Sequence, residues 1–420
     1  LSFNSDGSKM FIIGTATDKT YQYSLSTNFD ISTASYDNIF FDQSVSTSEG
    51  QPRGLAFSDY GDKLYVVGYD QDTVYQFSTG TAAGDYPTAS PVTVTGLTNG
   101  TSYTFNVWAI NAFGYSAPSD ASGSVTPNID YTQRGLFAIG YYFGYKNTID
   151  YVDLSSAGNT SDFGDLTVTG ESGGAVASST RAVFGGRYNG SLNNTIDYVT
   201  IASVGNATDF GDMNVSKRRY GACSSTTRGL FGGGNGPTNA IEYITIASTG
   251  NGTDFGNLTE NKQSNGSCSS TTRGLFAGGY QGSTDSNVID YITIASTGNA
   301  SDFGDLTEAR QTIGTSSNTR GLFIGGWSNP LSSYRNTIDY VTIGSTGNAT
   351  DFGDTTTATG RTMATSNNTV AVFNVDNSGT RTNVLEQVTV ATTGNSTDFG
   401  DLTVTSRNGY ATSGSHGGLQ

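Results

Sequence analysis

Short apolar runs punctuated by Gly, Asn, Asp and Ser, not long amphipathic stretches, make up this chain. Arg273-Gly-Leu-Phe-Ala-Gly-Gly279 is an apolar run that ends in a glycine pair. Asn287-Val-Ile-Asp-Tyr-Ile-Thr-Ile-Ala-Ser296 alternates apolar and polar positions. Phe303-Gly-Asp-Leu-Thr307 is short and aromatic, and Gln311–Ser317 is a weaker run leading to the next Arg. Runs of this length bounded by turn residues predict strands, four to a repeat. The order recurs from about residue 128 to the end. Its Phe-Gly-Asp/Asn core falls at Phe163, Phe210, Phe255, Phe303, Phe352 and Phe399, spaced 47, 45, 48, 49 and 47 residues apart.

A four-strand repeat of that period predicts an all-β propeller with one blade per copy, so six copies give six blades. Asn408-Gly-Tyr-Ala-Thr-Ser413 repeats the run before each Arg and is expected to lie beside the Arg134 strand, closing the ring and covering its open edges. His416–Gln420 starts to look like another copy, which leaves a seventh, truncated blade open. The order of apolar strand, Gly-Gly, loop, Tyr strand, aromatic strand and Arg resembles the kelch repeat. Phe here mostly stands where that family has Trp, so the likeness is one of pattern, and the family's partner-binding residues do not carry over.

Upstream, Leu1-Ser-Phe-Asn-Ser-Asp-Gly-Ser-Lys-Met-Phe-Ile-Ile-Gly14 matches Leu55-Ala-Phe-Ser-Asp-Tyr-Gly-Asp-Lys-Leu-Tyr-Val-Val-Gly68. Each reads strand, polar turn, strand, turn, strand, and each resembles a blade of lactonase-like and related surface-protein propellers. Two copies cannot close a ring. Residues 93–127, with Leu97, Tyr103 and Asn111-x-x-Gly114-x-Ser116, resemble the second half of a fibronectin type III domain, with Leu97 and Tyr103 in its tyrosine-corner pattern. The expected organisation is therefore 1–80, two repeats of one propeller type; 81–127, a partial fibronectin type III-like segment; and 128–420, a kelch-like propeller.

Composition agrees with a turn-rich β protein: 56 Gly and 46 Tyr plus Phe in 420 residues, with 13% charged. A formal net charge of −16 argues against nucleic acid or an anionic membrane as the main partner. The sequence has neither an apolar run long enough to span a membrane nor a basic-plus-apolar opening segment. It starts at Leu1 inside a motif, which reads as part of a longer protein. Cys223 and Cys268 fill the same slot in adjacent repeats, where other copies have Val176, Thr315, Thr365 and Ala411. A slot shared by such residues is small and buried, and equivalent positions on neighbouring blades are too far apart for a relaxed disulfide.

Because strands alternate in direction, loops sort onto two faces. The Asn/Asp loops and the repeated Arg residues (Arg134, Arg181, Arg228, Arg273, Arg320) fall on one. The loops after the glycine pairs, which differ between copies, fall on the other. What all copies keep is scaffold, and what they vary is free to specialise. The candidate ligand-binding residues are therefore Trp327, Tyr334, Arg335, Tyr280, Tyr188, Arg187, Tyr142 and Tyr145. Aromatic faces among amide and hydroxyl groups suit a sugar ring or a protein surface. The Asn/Asp loop lacks the dense alternating ligand spacing of calcium loops, so Asx-turn chemistry is the reading and neither metal nor cofactor is expected. It carries an Asn-x-Ser/Thr sequon in every copy (Asn159, Asn206, Asn251, Asn299, Asn348, Asn395). These are glycan sites in a eukaryotic secreted protein and turn composition in a virion or bacterium. Five copies carry the repeated Arg and six carry a carboxylate one residue before the Tyr position (Gln387 in the last), and mutual pairing between blades is expected. With His416 the only histidine, the repeats offer no Ser-His-Asp or Cys-His arrangement, and no enzyme activity is expected.

The mosaic, and above all the Ile-Asp-Tyr-x-Thr-Ile-Ala-Ser-Thr-Gly-Asn-Ala-Thr-Asp-Phe-Gly-Asp signature, resembles repetitive tail-fibre and receptor-binding proteins of tailed phages. The resemblance implies a non-enzymatic virion protein that binds a host surface glycan or protein, beside other tail proteins and as a homo-oligomer. The alternatives are a tail-nozzle propeller making subunit contacts and a secreted adhesin or extracellular filament subunit. The location implied is the virion tail or the extracellular space.

Overall fold

The structure, a computed structural model, describes residues 1–4, 6–14, 16–42, 51–57, 63–68, 73–78, 94, 97–98, 101–107, 110–111, 114–115, 119–126, 131–360, 362–376 and 380–415. The chain divides into two compact units, Leu1–Ile129 and Asp130–Gln420. His416–Gln420, the start of the suggested further copy, lies outside the described residues.

The second unit holds six four-stranded antiparallel sheets, an arrangement compatible with a propeller-like all-β fold. Sheet I runs Ser161–Asp165, Thr148–Asp153, Arg134–Ala138, and then Tyr410–Ser413 from the far end of the chain. Gly135 lies opposite Ser413 and Ala138 opposite Tyr410, the pairing that the sequence suggested. Sheet II is Gly174–Ala177, Arg181–Tyr188, Leu192–Thr200 and Thr208–Asp212 in that order. Sheets III to VI repeat this order over 221–262, 266–305, 311–359 and 364–406. The weak run before each Arg is thus the first strand of its sheet, and Phe-Gly-Asp lies on the last.

Three sets of bonds tie each sheet to the next. The Gly of every Thr/Ala/Val-Gly-Asn turn donates its N–H to the Phe carbonyl of the preceding sheet: Gly205 to Phe163, Gly298 to Phe255, and from the first sheet back to the sixth, Gly158 to Phe399. The sequon Asn accepts from the residue two beyond that Phe, as Asn206 Oδ1 does from Asp165 N–H at 3.0 Å and Asn159 from Asp401 at 3.0 Å. The carboxylate before each Tyr accepts from a Thr or Asn of the preceding sheet. Asp339 takes the N–H of Thr307 at 3.1 Å and its hydroxyl at 2.7 Å, and Asp150 takes those of Thr403 at 2.9 and 2.8 Å.

The bonding explains the glycine in Phe-Gly-Asp. A Cβ on Gly256 would lie 2.3 Å from the Gly298 carbonyl oxygen, at a φ of +145° that side chains rarely adopt. Six clusters of buried apolar side chains fill the spaces between consecutive sheets. The last, with Phe137, Leu154, Phe399 and Leu402, joins sheets VI and I. Cys223 and Cys268 are free and buried in this layer. Each Sγ fills the space left by the glycine of the next sheet's Arg-Gly-Leu-Phe run, Gly274 and Gly321. Burial pushes the Cys223 thiol up to about 12, so it is inert.

The expected Arg–carboxylate pairing is not what forms. Each repeated Arg stacks on the Tyr of its own sheet and donates to a carbonyl of the next. Arg228 lies 4.3 Å over Tyr243 and bonds Ile294 O at 2.8 Å. Arg181 does the same with Tyr198 and Ile246. The carboxylates sit deep between sheets, where other cations reach four of them: Arg187 to Asp197, Lys217 to Glu242, Lys262 to Asp290 and Arg310 to Asp339. Each Arg opens the second strand of its sheet, and the carbonyl it bonds lies just past the third strand of the next, as Arg228 and Ile294 do.

The first unit has a four-stranded sheet (Ser2–Phe3, Lys9–Gly14, Lys19–Leu25, Ala34–Asp42) and a three-stranded one (Pro52–Phe57, Lys63–Gly68, Val74–Ser78). Phe11 meets Phe57 edge-on at 5.0 Å between them. Within 101–126 an antiparallel arrangement pairs Tyr103 with Val125 and Ile110 with Tyr115. The Tyr103 hydroxyl accepts the Thr98 N–H at 3.0 Å, the bond a tyrosine corner requires.

Candidate functional site

Seven residues beyond the repeated Arg, just past the glycine pair, the copies carry Tyr141, Tyr188, Asn235, Tyr280 and Trp327. These side chains are not on free loop tips. Tyr280 exchanges both backbone bonds with Gln263, Tyr188 does so with Glu171, and Trp327 lies opposite Gln311 in a sheet ladder. In sheets II and V the strand runs straight through the glycine pair to Tyr188 and Ser328, with a register shift at the pair. The expected strand end at Gly-Gly is therefore a bulge there, while in sheets III and IV the strand does stop at Gly232 and Ala277.

The segments that feed the first strands converge on a funnel of about 440 Å³. Beneath it a cavity of about 100 Å³ is lined by first-strand residues of all six sheets. Tyr280, Trp327 and Tyr334 line the funnel, with Tyr220, Ser172, Arg219 and Asn408 also in the lining. Trp327 and Tyr334 meet edge-to-face at 4.9 Å and 71°. The indole N–H donates to Asn329 Oδ1 at 2.8 Å. Asn329 is in turn held by Asp285, whose carboxylate accepts its backbone N–H at 2.5 Å, its side-chain amide at 2.8 Å and the Gln311 amide at 3.3 Å. Asp285 comes from the loop of sheet IV and Asn329 from that of sheet V, so one buried carboxylate fixes two varying loops. Burial pushes its carboxyl above the ordinary value, against the pull of those three donors. The Tyr334 ring also rests on Gly360, where a side chain would collide with it.

Among the described residues lining the funnel, Arg219 has the one charged side chain, and none has a carboxylate, thiol or imidazole. Two acceptors are stranded there. Gln263 Oε1 and Asn265 Oδ1 are both buried without a hydrogen-bond partner.

Of the eight residues singled out from the sequence, Trp327, Tyr334 and Tyr280 share the funnel. Arg335 lies beside it, its Nε 2.8 Å from Glu308. Tyr188 and Tyr145 form a second cluster, ring to ring at 5.8 Å, with Arg218 stacked 3.9 Å over Tyr188 and 3.7 Å from Glu171. Tyr142 packs on Phe143, which is 80% exposed. Arg187 does not belong with them. It is fully buried, 2.8 Å from Asp197, and fills the space that Gly170 leaves where other copies place Lys217, Lys262 or Arg310. It lies on the continuous strand through Gly186 and so points between sheets, not into a loop.

Sequence reasoning passed over Asp285, Asn329, Gln263 and Asn265. The recurring aromatic at the seventh position was a visible signal for the mouth, but the amides beside it have no fixed place in the repeat. Groups of three or more His, Cys, Asp or Glu able to hold a metal are absent among the described residues, as is any helix long and apolar enough to cross a membrane. No protein-family model matches the chain, and no curated protein matches it.

Proposed function

We propose that residues 131–415 close into a six-bladed, kelch-like propeller whose mouth binds a surface component of a host cell, and that the chain serves as a non-enzymatic tail-fibre or receptor-binding protein of a virion. One contrast carries this reading. The six copies keep the residues that bond sheet to sheet, whereas the residues around the funnel differ copy by copy, with Tyr280, Trp327 and Tyr334 coming from the neighbouring copies IV and V. Selection for assembly alone gives no reason for that asymmetry. Half-buried aromatic faces beside amides match the make-up of recognition surfaces. Support for the ring comes from the Gly158–Phe399, Asn159–Asp401 and Asp150–Thr403 bonds and from the cluster between sheets VI and I.

The test is binding of the full chain to glycan arrays and to panels of bacterial cells. Saturable binding is expected, reduced at least tenfold by Trp327→Ala with Tyr334→Ala and unchanged by Val204→Ser on a turn far from the funnel in sequence. A folded chain that binds no surface would overturn the reading. A second reading, a nozzle-type propeller making subunit contacts, rests on Phe143 and Leu331, which leave large apolar side chains 80% and 55% exposed in varying loops. It is favoured if the chain assembles into rings that bury those residues.

A further inference from the structure

We propose that a basic and aromatic patch at the rim of the funnel docks the acid groups of an anionic surface polysaccharide. This rests on the reading of the mouth as a recognition surface and names the class it recognises. The patch is built on the varying loop of sheet I. Arg381 lies 4.6 Å over Phe143 and 5.6 Å over Tyr141, Arg407 lies 5.1 Å over the same Tyr141 ring, and Lys146 lies 5.6 Å over Tyr142. Tyr145 carries the row of rings on from Tyr141 to Tyr188, on which Arg218 stacks. Arg407 and Arg218 fill one slot of the repeat, since the carbonyl of each accepts the N–H of the seventh-position residue of its sheet, Tyr141 or Asn235. Other copies have Glu171 and Gln263 there, so this slot also varies. Arg407 and Arg218 directly precede Asn408 and Arg219, which line the funnel.

Charge selects the ligand. Among the described residues, Arg218 pairs with Glu171 at 3.7 Å, whereas Lys146, Arg381 and Arg407 have no ion pair. Unpaired cations grouped in this way stand out in a chain with 36 Asp and Glu against 20 Lys and Arg. Two guanidiniums on one ring repel each other, and a bound anion offsets that repulsion. A guanidinium that stacks by its face keeps an N–H edge for a carboxylate or phosphate. The exposed Asp162, Asp209, Asp254, Asp302, Asp351 and Asp398 stand at the opposite end of the sheets, where the last strands begin. Charges more than about 8 Å apart are largely screened at physiological ionic strength, so the local cations and not the net charge set the attraction. Phe143, 80% exposed, and the tyrosines beside it offer faces to the C–H side of sugar rings, and the regular anion spacing of a polysaccharide suits cations set along a row of rings.

The experiment is binding of the full chain to immobilised polysialic acid, polygalacturonate, poly-glutamate and dextran. At least one acidic polysaccharide should bind about tenfold or more tighter than dextran, and weaken as salt rises from about 0.05 M to about 0.5 M. Arg381→Gln with Arg407→Gln should cost about tenfold or more, and Arg381→Lys with Arg407→Lys should recover part of the loss. Lys19→Gln with Lys63→Gln in the first unit changes the net charge equally and should alter affinity by less than about twofold. Dextran bound as well as the acidic polymers, poly-glutamate bound as tightly as they are, or none of the set bound by a folded chain overturns the proposal. Self-association that the paired Gln substitutions abolish, without polysaccharide binding, overturns it too and gives the patch to a second copy. Cell binding that is indifferent to those substitutions would leave the recognition reading standing while refuting the acidic ligand.

Discussion

In each Phe-Gly-Asp/Asn segment of a last strand, the glycine is fixed by what lies opposite it. Gly256 has no room for a Cβ against Gly298 O, whereas a Cβ on Gly298 itself meets nothing. Gly256→Ala should therefore destabilise the chain by about 2 kcal/mol or more, and Gly298→Ala should stay within about 0.5 kcal/mol of the parent, both read by urea denaturation. The buried carboxylates make a second contrast. Asp339 and Arg310 are both fully buried and 2.9 Å apart. Asp339→Ala leaves that buried guanidinium only Glu308, 3.9 Å away, and a loss of about 3 kcal/mol is expected. Asp150 is as buried but is held only by Thr403 and Thr160, and burial raises its carboxyl above the ordinary 3.8. A carboxyl raised in the folded chain contributes fully below its unfolded value and loses that contribution as pH climbs through the raised one. Asp150→Asn should accordingly shrink the fall in stability between about pH 4 and about pH 7, measured by denaturant midpoints at both. An unchanged fall would show that Asp150 does not titrate as its burial implies.

At the scale of elements, the strands of the repeat were legible because each is a short apolar run between turn residues. The predicted Asn287–Ser296 and Phe303–Thr307 runs correspond to Val288–Thr293 and Ser301–Asp305. What failed were inferences from punctuation. Gly185-Gly186 looked like a strand end and is a bulge, because glycine at a φ of +40° lets the ladder shift and continue. That error placed Arg187 in a loop. The sequence reading made no assignment for Ala34–Asp42, a strand in which Asp37 and Asn38 bulge out of the alternation, Asp37 being bonded to Lys9, Gln22 and Ser24. The partners of the repeated Arg were illegible for another reason: a backbone carbonyl has no sequence signature. The pairing of Tyr410–Ser413 with the Arg134 strand was legible, and it carries an element-scale expectation. Ending the chain at Arg407 uncovers the Arg134–Ala138 strand and removes Tyr410 and Ala411 from the buried clusters. Stability should drop by at least about 3 kcal/mol, with a shallower denaturation transition.

Over the whole molecule, repetition and specialisation divide the labour. The bonds that join sheets recur with the period of the sequence and run from the sixth sheet back to the first. The mouth, where the copies differ, collects the aromatic and amide groups that the proposed recognition uses. The formal net charge is −16, yet the described lining of the funnel holds no carboxylate. Closure is the premise on which the mouth depends, since an open arc would scatter the segments that line it. Electron-microscopy class averages of the full chain, viewed down the axis of the second unit, test closure directly. Six evenly spaced spokes around a narrow centre are expected; an open arc, or a ring of seven, would contradict the account.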